Sequence, residues 1–496
     1  MTMTTSTSTT SLRRAAITAG IVTLLVAACA APAPAPPAGP PPAVAPSVPP
    51  VEPPPFEAAA PTATPEATVS ARAEQRRAIL DAAWKTVRDK HYDKTLGGVD
   101  WNAVRARYEP LALGAPSEAA FYRTLNQMIG ELGQSHMMIT GPGAEDEDDA
   151  EELAPPGESA GAGSRPEASP APPPATDAVG DPGIVVRVID GRPTITRVRP
   201  GSAAERAGLA PGFVVTQIAG RDLKAVTDSA RPLRPVEERF AIRRAAQRRL
   251  LGPAGTRVTI RYLDNDDRPG HTVLVREEPH VPAEHLGHLP PLYPESHFRQ
   301  IGDVGVISFN LFLLKPVLED IKKMIDALPA RHVRALVLDL RGNPGGQGGM
   351  AIPVAARLVD APLTLGTLQF REFSQTLTAR PEMGVKPFLG PVAILTDEGT
   401  ASASEILAAG LQESRRAVVV GDSTLGAVLP SVVEALPGGA VMQYVVADFK
   451  TPKGVLIEGR GVQPDKRVVE TRAGLRSGRD PVLDAALVAV RASRGP

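Results

Sequence analysis

The 496-residue chain contains the run Gly399-Thr400-Ala401-Ser402-Ala403-Ser404-Glu405, in which hydroxyl side chains alternate with alanines just ahead of Ile406, Leu407, Gly410 and Leu411 at helical spacing. A serine there can be a nucleophile, because backbone N–H groups at a helix start can hold the negative charge of an oxyanion. The N–H of Ala403 is the nearest such donor. The same residues also read as a capping box, with Ser402 at the N-cap and Glu405 three positions on. A serine hydroxyl attacks only when a base within hydrogen-bond reach takes its proton, so the rest of the chain has to supply one.

Several function classes are excluded by composition. Lys and Arg number 54 against 55 Asp and Glu, for a net charge of -1. The basic residues are scattered, so no polyanion partner and no nucleic acid is expected. A hydrophobic content of 43% over this length supports two to three domains with at least one sizeable core.

The elements that must position the chemistry follow in order. Arg13 and Arg14 precede an apolar run from Ala15 to Ala28, too short for a membrane span and suited to a cleaved export signal over 1–28. Val26-Ala27-Ala28-Cys29 resembles a bacterial lipobox, in which the cysteine is lipidated; the alternative is ordinary cleavage near Ala28 or Ala31. Cys29 is the sole cysteine, so no internal disulfide can form. Residues 29–69 are a proline-rich tether. Residues 70–140 space their apolar side chains as a small helical domain, and 141–180 form an acidic, Pro-rich insertion without a core. Residues 181–280 alternate short β-rich runs with turns. His280 and, in the linker 281–298, His285 and His288 have a spacing among prolines that fits no metal geometry, and no cofactor is expected. From 299 to 496 strands and helices alternate, which argues for an α/β layered domain and an α/β multidomain chain as a whole.

The segment PGSAAERAGLAPGF resembles part of a PDZ domain, which implies that Gly183-Ile184-Val185 captures a peptide carboxylate and that the peptide adds as a strand. Such a domain can also serve only to pack and regulate. Asp339–Gly346, DLRGNPGG, followed about sixty residues later by GTASASEI, resembles the carboxy-terminal processing peptidases and the related tricorn-type serine peptidases. The resemblance runs from about residue 70 to 490 and implies a serine endopeptidase whose nucleophile is Ser402. It also implies protein or peptide substrates, possibly taken by their C-termini.

The sequence departs from the Ser-Lys branch of that family. The lysine expected 25 residues after the serine is Ala427, its assisting glutamine is Ser431, and Lys450 and Lys453 lie outside the expected turn. The Ser135-His136 pair in ELGQSHMMI instead resembles that of the histidine-dependent, tricorn-type branch, and Glu458 in IEGRGVQPD matches its glutamate. On that resemblance His136 is the base and Ser135 and Glu458 its supporting shell, with either one touching the imidazole. The oxyanion falls to the N–H of Ala403 and of a glycine in 342–346, Gly345 being chosen. The expectation is a periplasm-facing lipoprotein held through Cys29, in the outer membrane because Ala30 is not acidic. The rival is an inactive lipoprotein scaffold binding peptide tails, for which Ala427 speaks.

Overall fold

A computed structural model of the chain describes residues 65–142, 179–223, 233–285 and 291–492. The export signal, Cys29, most of the tether, most of the acidic insertion and His288 lie outside the described residues. The chain is a mixed helix and sheet protein with an N-terminal helical region followed by several sheets.

Three helices, Pro65–Lys90, Trp101–Leu113 and Glu118–Gly130, form the helical region. The second begins where Asp100 accepts from the N–H groups of Asn102 and Ala103, and the third where Ser117 accepts from Ala120 N–H, so two orphan helix starts are satisfied by side chains. The first helix starts inside the span read as tether. Trp84 and Trp101 exchange indole N–H bonds with each other's carbonyls at 3.0 Å each, locking two helices together. Ile79, Leu80, Phe121, Leu125 and Met128 pack in one core with Leu436, Met442 and Tyr444 from the far end of the chain. Strand Met138–Thr140 extends the joint by pairing antiparallel with Val441–Val445. The helical region therefore shares its core with the C-terminal region and does not close on itself.

The middle region is an antiparallel sheet in the order Ile184–Ile189, Arg192–Val198, Val214–Ile218, Arg257–Leu263, Pro269–Val275. A helix, Pro235–Leu250, packs Ile242, Ala245, Ala246 and Leu250 inward against it. That helix has five arginines in sixteen residues, which hides its apolar face from a sequence reading.

The C-terminal region is built on a six-stranded sheet. Ser296–Ile301, which begins inside the expected linker, pairs antiparallel with Val304–Phe309; then Ala335–Asp339, Val392–Thr396, Val418–Gly421 and Lys466–Arg467 follow in parallel. Its central strands are apolar throughout because both faces are covered. Ile307, Leu336, Leu338, Ile394 and Val419 face the core that includes helix Ala403–Glu413. Val306, Ala335, Val337, Leu395 and Val420 face Val482, Leu483 and Leu487 of the last helix, Pro481–Ala492. Alternate residues thus serve two cores, and the carboxyl ends of these strands are left to carry the site.

Candidate active site

Ser402 stands at the turn between strand Val392–Thr396 and helix Ala403–Glu413. Among residues 392–411 it alone is not buried. The flanking hydroxyls are structural: Thr400 Oγ1 donates to Leu340 O at 2.8 Å, and the buried Ser404 Oγ donates to Asn343 O at 3.1 Å. Ser402 has φ 54° and ψ -121°, a conformation that costs a non-glycine residue about 1–3 kcal/mol and persists only when its surroundings over-determine it. Its N–H donates to Ala427 O at 2.8 Å and to Glu405 Oε2 at 3.1 Å. The backbone is held while the side chain stays at the surface, the geometry by which a strand-to-helix elbow presents a nucleophile.

Glu405 is fully buried and does more than cap. Besides Ser402 it accepts from the Thr424 hydroxyl and from the N–H groups of Gly426 at 2.7 Å and Ala427 at 3.0 Å. Burial pushes its carboxyl up to about 7, against the pull of these four donors. The segment 424–427, where a lysine would sit in the other branch, is thus clamped to the Ser402 turn through the Glu405 carboxylate. Ala427 supplies a carbonyl and an N–H but no base, and Lys450 and Lys453 are exposed.

The histidine is placed by a chain of four hydrogen bonds. Glu458 Oε1 accepts from Ser135 N–H at 2.8 Å, and Oε2 accepts from Ser135 Oγ at 3.1 Å and from Val428 N–H at 2.9 Å. Ser135 Oγ lies 2.8 Å from His136 Nδ1. Ser135, rather than Glu458, is the residue that touches the imidazole. Because the serine proton is donated to the carboxylate, the hydroxyl oxygen receives Nδ1–H, and Nε2 is left with a free lone pair. Burial lowers the imidazole to about 4, so it is neutral at pH 7 and able to accept a proton. Burial likewise raises Glu458, against its three donors. Val428 N–H meets Glu458 while Ala427 O meets Ser402 N–H, so one peptide unit separates the two halves of the site. His136 and Ser402 are not hydrogen-bonded to each other here; such contacts are commonly long before substrate binds.

Gly345 lies against the nucleophile. A Cβ on it would come within 2.6 Å of Ser402 Cβ and 2.9 Å of Ala403 N, and its φ is +94°, so only glycine fits. Its own N–H, however, donates to Asn343 Oδ1 at 2.9 Å and is committed. Ala403 N–H, at the first helical position, has no acceptor among the described residues.

Sequence reasoning missed the ionic network beneath this loop. Asp397, five residues before Ser402, accepts from Gly342 N–H and Gly399 N–H at 2.8 Å each, joining the DLRGNPGG loop to the nucleophile loop. Burial alone would raise its carboxyl, but Arg187 and Arg243 from the middle region hold it down to about 2. The Arg243 guanidinium lies so close to Gly342 and Gly399 that a Cβ on either would strike it at 2.3 or 2.1 Å. Arg341 of the DLR motif forks onto Asp339 and Asp480 and reaches Glu470. No local pattern announces such partners, since they sit 99 to 283 residues apart in sequence.

The residues expected to capture a peptide lie at a free edge of the middle sheet. Among the described residues, Ile184 and Val185 open a strand that pairs only with Arg192–Val198 and runs beside helix Pro235–Leu250. Gly183 N–H is engaged by Asp181 Oδ1 at 2.5 Å, and Asp181 Oδ2 accepts from Arg199 Nη1 at 2.9 Å. His280 and His285 are exposed.

Comparison with known proteins agrees with this architecture. Residues 301–468 match the model of peptidase family S41, and residues 72–130 match that of the tricorn protease C1 domain. The region that carries Ser402 and Glu458 is thus similar to peptidase family S41, and relatives of the chain are named carboxy-terminal processing proteases. It is 27% identical over 283 residues to the carboxy-terminal processing protease CtpA of Bacillus subtilis, covering 57% of this chain and 54% of that one. To a carboxyl-terminal-processing protease of Picosynechococcus it is 26% identical over 396 residues, covering 80% and 84%. The chain therefore spans about half the length of the Bacillus relative and most of the Picosynechococcus one. Among solved structures, mature CPAF superposes with a TM-score of 0.57 at 15% identity, covering 85% of this chain and 99% of that one. The photosystem II D1 C-terminal processing protease gives 0.51 at 20% identity, covering 80% and 93%. At those identities the solved structures speak to the fold.

Proposed function

We propose that this chain is an exported serine endopeptidase that uses His136, not a lysine, as its general base. The carrying observation is the ordered set Glu458, Ser135, His136, whose donor sequence leaves Nε2 unprotonated, with the Ala427–Val428 peptide unit bridging Glu458 to the half-buried Ser402. Ser402 Oγ attacks the scissile carbonyl carbon as its proton passes to His136 Nε2. The C–O π bond opens to an oxyanion received by Ala403 N–H, with a second donor from the 342–346 loop once a peptide there turns toward it. Gly345 can serve only by giving up Asn343. The imidazolium is stabilised through Ser135 by the Glu458 carboxylate. It returns the proton to the leaving amine as the C–N bond breaks, leaving an acyl-enzyme on Ser402. Water, deprotonated by the same imidazole, then releases the acid.

Substrates are proteins or peptides. The free edge at Ile184 and Val185 suits an extended segment added as a strand, in the manner of a PDZ domain, with Gly183 at its carboxylate end. Lipidation at Cys29, with the proline-rich tether holding the folded part away from the membrane on the periplasmic side, completes the reading.

The test is cleavage of casein by the purified chain beside its Ser402→Ala and His136→Ala variants, with a fluorophosphonate probe in parallel. Cutting and labelling by the parent, and neither by two folded variants, supports the proposal. A folded parent that neither cuts nor labels would make the chain a peptide-binding scaffold.

A further inference from the structure

We propose that His91 and Gln134 are positioning residues that hold the His136 loop in its strained conformation, independently of Glu458; the proposal rests on His136 being the base. His136 has φ +57°, the left-handed region that a bulky residue occupies only under outside restraint. Glu458 restrains Ser135 on one side. The residue before, Gln134, is fixed by a different set of partners.

His91 is 1% exposed and sits just past the end of helix Pro65–Lys90. Its Nδ1 lies 3.1 Å from Asp93 N and its Nε2 lies 2.6 Å from Gln134 Oε1. With Asp93 N–H donating to Nδ1, the ring proton sits on Nε2 and is donated to Gln134 Oε1; a proton on Nδ1 would instead go to Asp93 O, also 3.1 Å away, with the glutamine amide reversed. With the proton on Nε2, the amide nitrogen of Gln134 faces Tyr92 OH, 3.3 Å away. In either tautomer one orientation of the amide joins the imidazole to Tyr92 OH. The imidazole of His91 is thus a fixed post to which Gln134, and through the chain Ser135 and His136, is tied.

The post is anchored to the catalytic region. Arg371, one residue beyond strand Leu363–Phe370, donates through Nη1 to His91 O at 2.6 Å. That strand pairs with Ala447–Lys450, eight residues before Glu458. Both restraints on the His136 loop therefore come from the C-terminal region. One acts through a carboxylate and the other through an arginine, a histidine and an amide. Partners of this kind, which touch no substrate but orient a catalytic group, typically cost 10- to 100-fold in activity when removed.

The experiment compares kcat, KM, the pH profile of kcat/KM and fluorophosphonate labelling in the full chain, Gln134→Ala, Gln134→Glu and His136→Ala. Gln134→Ala is expected to lower kcat roughly 10- to 100-fold with KM within about twofold. Its acid limb is expected to move up toward the ordinary histidine value of about 6.5, because a loosened ring regains water. Gln134→Glu, which keeps an acceptor for His91 Nε2–H, should restore most of kcat and the parental limb. Parental kcat and limb in Gln134→Ala, with His136→Ala inactive, would overturn the relay while leaving the base intact. A drop in kcat with an unmoved limb would also overturn it, since that marks a structural role alone. Parental labelling in His136→Ala would overturn both.

Discussion

Replacing Arg187 by alanine removes the main cation beneath the nucleophile loop from a residue that belongs to the middle sheet. Its guanidinium forks onto Glu398 at 2.8 Å twice and meets Glu470 at 2.6 Å and Asp397 at 3.3 Å. The three acceptors are 2%, 11% and 3% exposed, so water cannot replace it. Asp397 would retain Arg243 at 3.4 Å and Glu470 would retain Arg341 at 3.0 Å, whereas Glu398 would keep only Arg243 at 3.6 Å. Breaking one side of a buried ion pair costs about 3–5 kcal/mol, and the surviving partners place this case near the lower end, ~3 kcal/mol. A urea titration followed by circular dichroism should show the midpoint falling by roughly 1 M or more. The dependence on pH has a definite sign. Asp397, held at about 2 in the fold, contributes stability that is present above its unfolded value of about 3.8 and lost as pH falls through about 2. The variant forfeits part of that contribution, so its deficit should be full at pH 7 and narrow between pH 4 and 2. Arg187→Lys should recover only part, because an ammonium cannot fork onto Glu398. A deficit under ~1 kcal/mol at pH 7, or one that does not change on acidification, would refute the reasoning.

Two further outcomes follow from the geometry at the base and at the oxyanion loop. With His136 lowered to about 4, the acid limb of kcat/KM should lie well below pH 6.5; because the unfolded chain takes up that proton first, the imidazole should also destabilise the fold as pH drops from 6.5 toward 4, a slope His136→Ala should lack. A limb at 6.5, or one above pH 8 as a lysine base would give, contradicts this. Gly345→Ala, whose methyl would strike Ser402 Cβ in a left-handed backbone, should abolish labelling of Ser402 and lower stability by a few kcal/mol, at least ~2; labelling at the parental rate would mean the loop can move aside.

Much of the candidate site is legible in the sequence because its pieces are short and local. Ser402 reads as a helix start, and Ser135-His136 and Glu458 are carried by motifs of a few residues each. The parallel strands read correctly as apolar runs because both faces are buried. The boundaries read less well, since the first helix begins at Pro65 and a strand begins at Ser296, within stretches whose prolines suggested only linker. Helix Pro235–Leu250 is hidden by its arginines, two of which, Arg239 and Arg243, face carboxylates brought in by the fold. The commitment of Gly345 N–H to Asn343 depends on a side-chain rotamer, and the pairing of Arg187 with Asp397 depends on two regions docking. The first lies within two residues but turns on a rotamer, and the second lies outside any window a local reading can scan.

The bond from Ser135 to Glu458 spans 323 residues. On the reading proposed above, with Ser402 as nucleophile and His136 as base, such a peptidase would carry its own safety catch. While the chain is being synthesised, the nucleophile emerges with its loop still lacking the glutamate that aligns the base, and the helical region that carries the base has no partner for Leu436, Met442 and Tyr444 until those residues arrive. The ability to cut would thus appear only after nearly the whole chain has folded, so a truncated or half-folded copy is harmless to its neighbours and to itself.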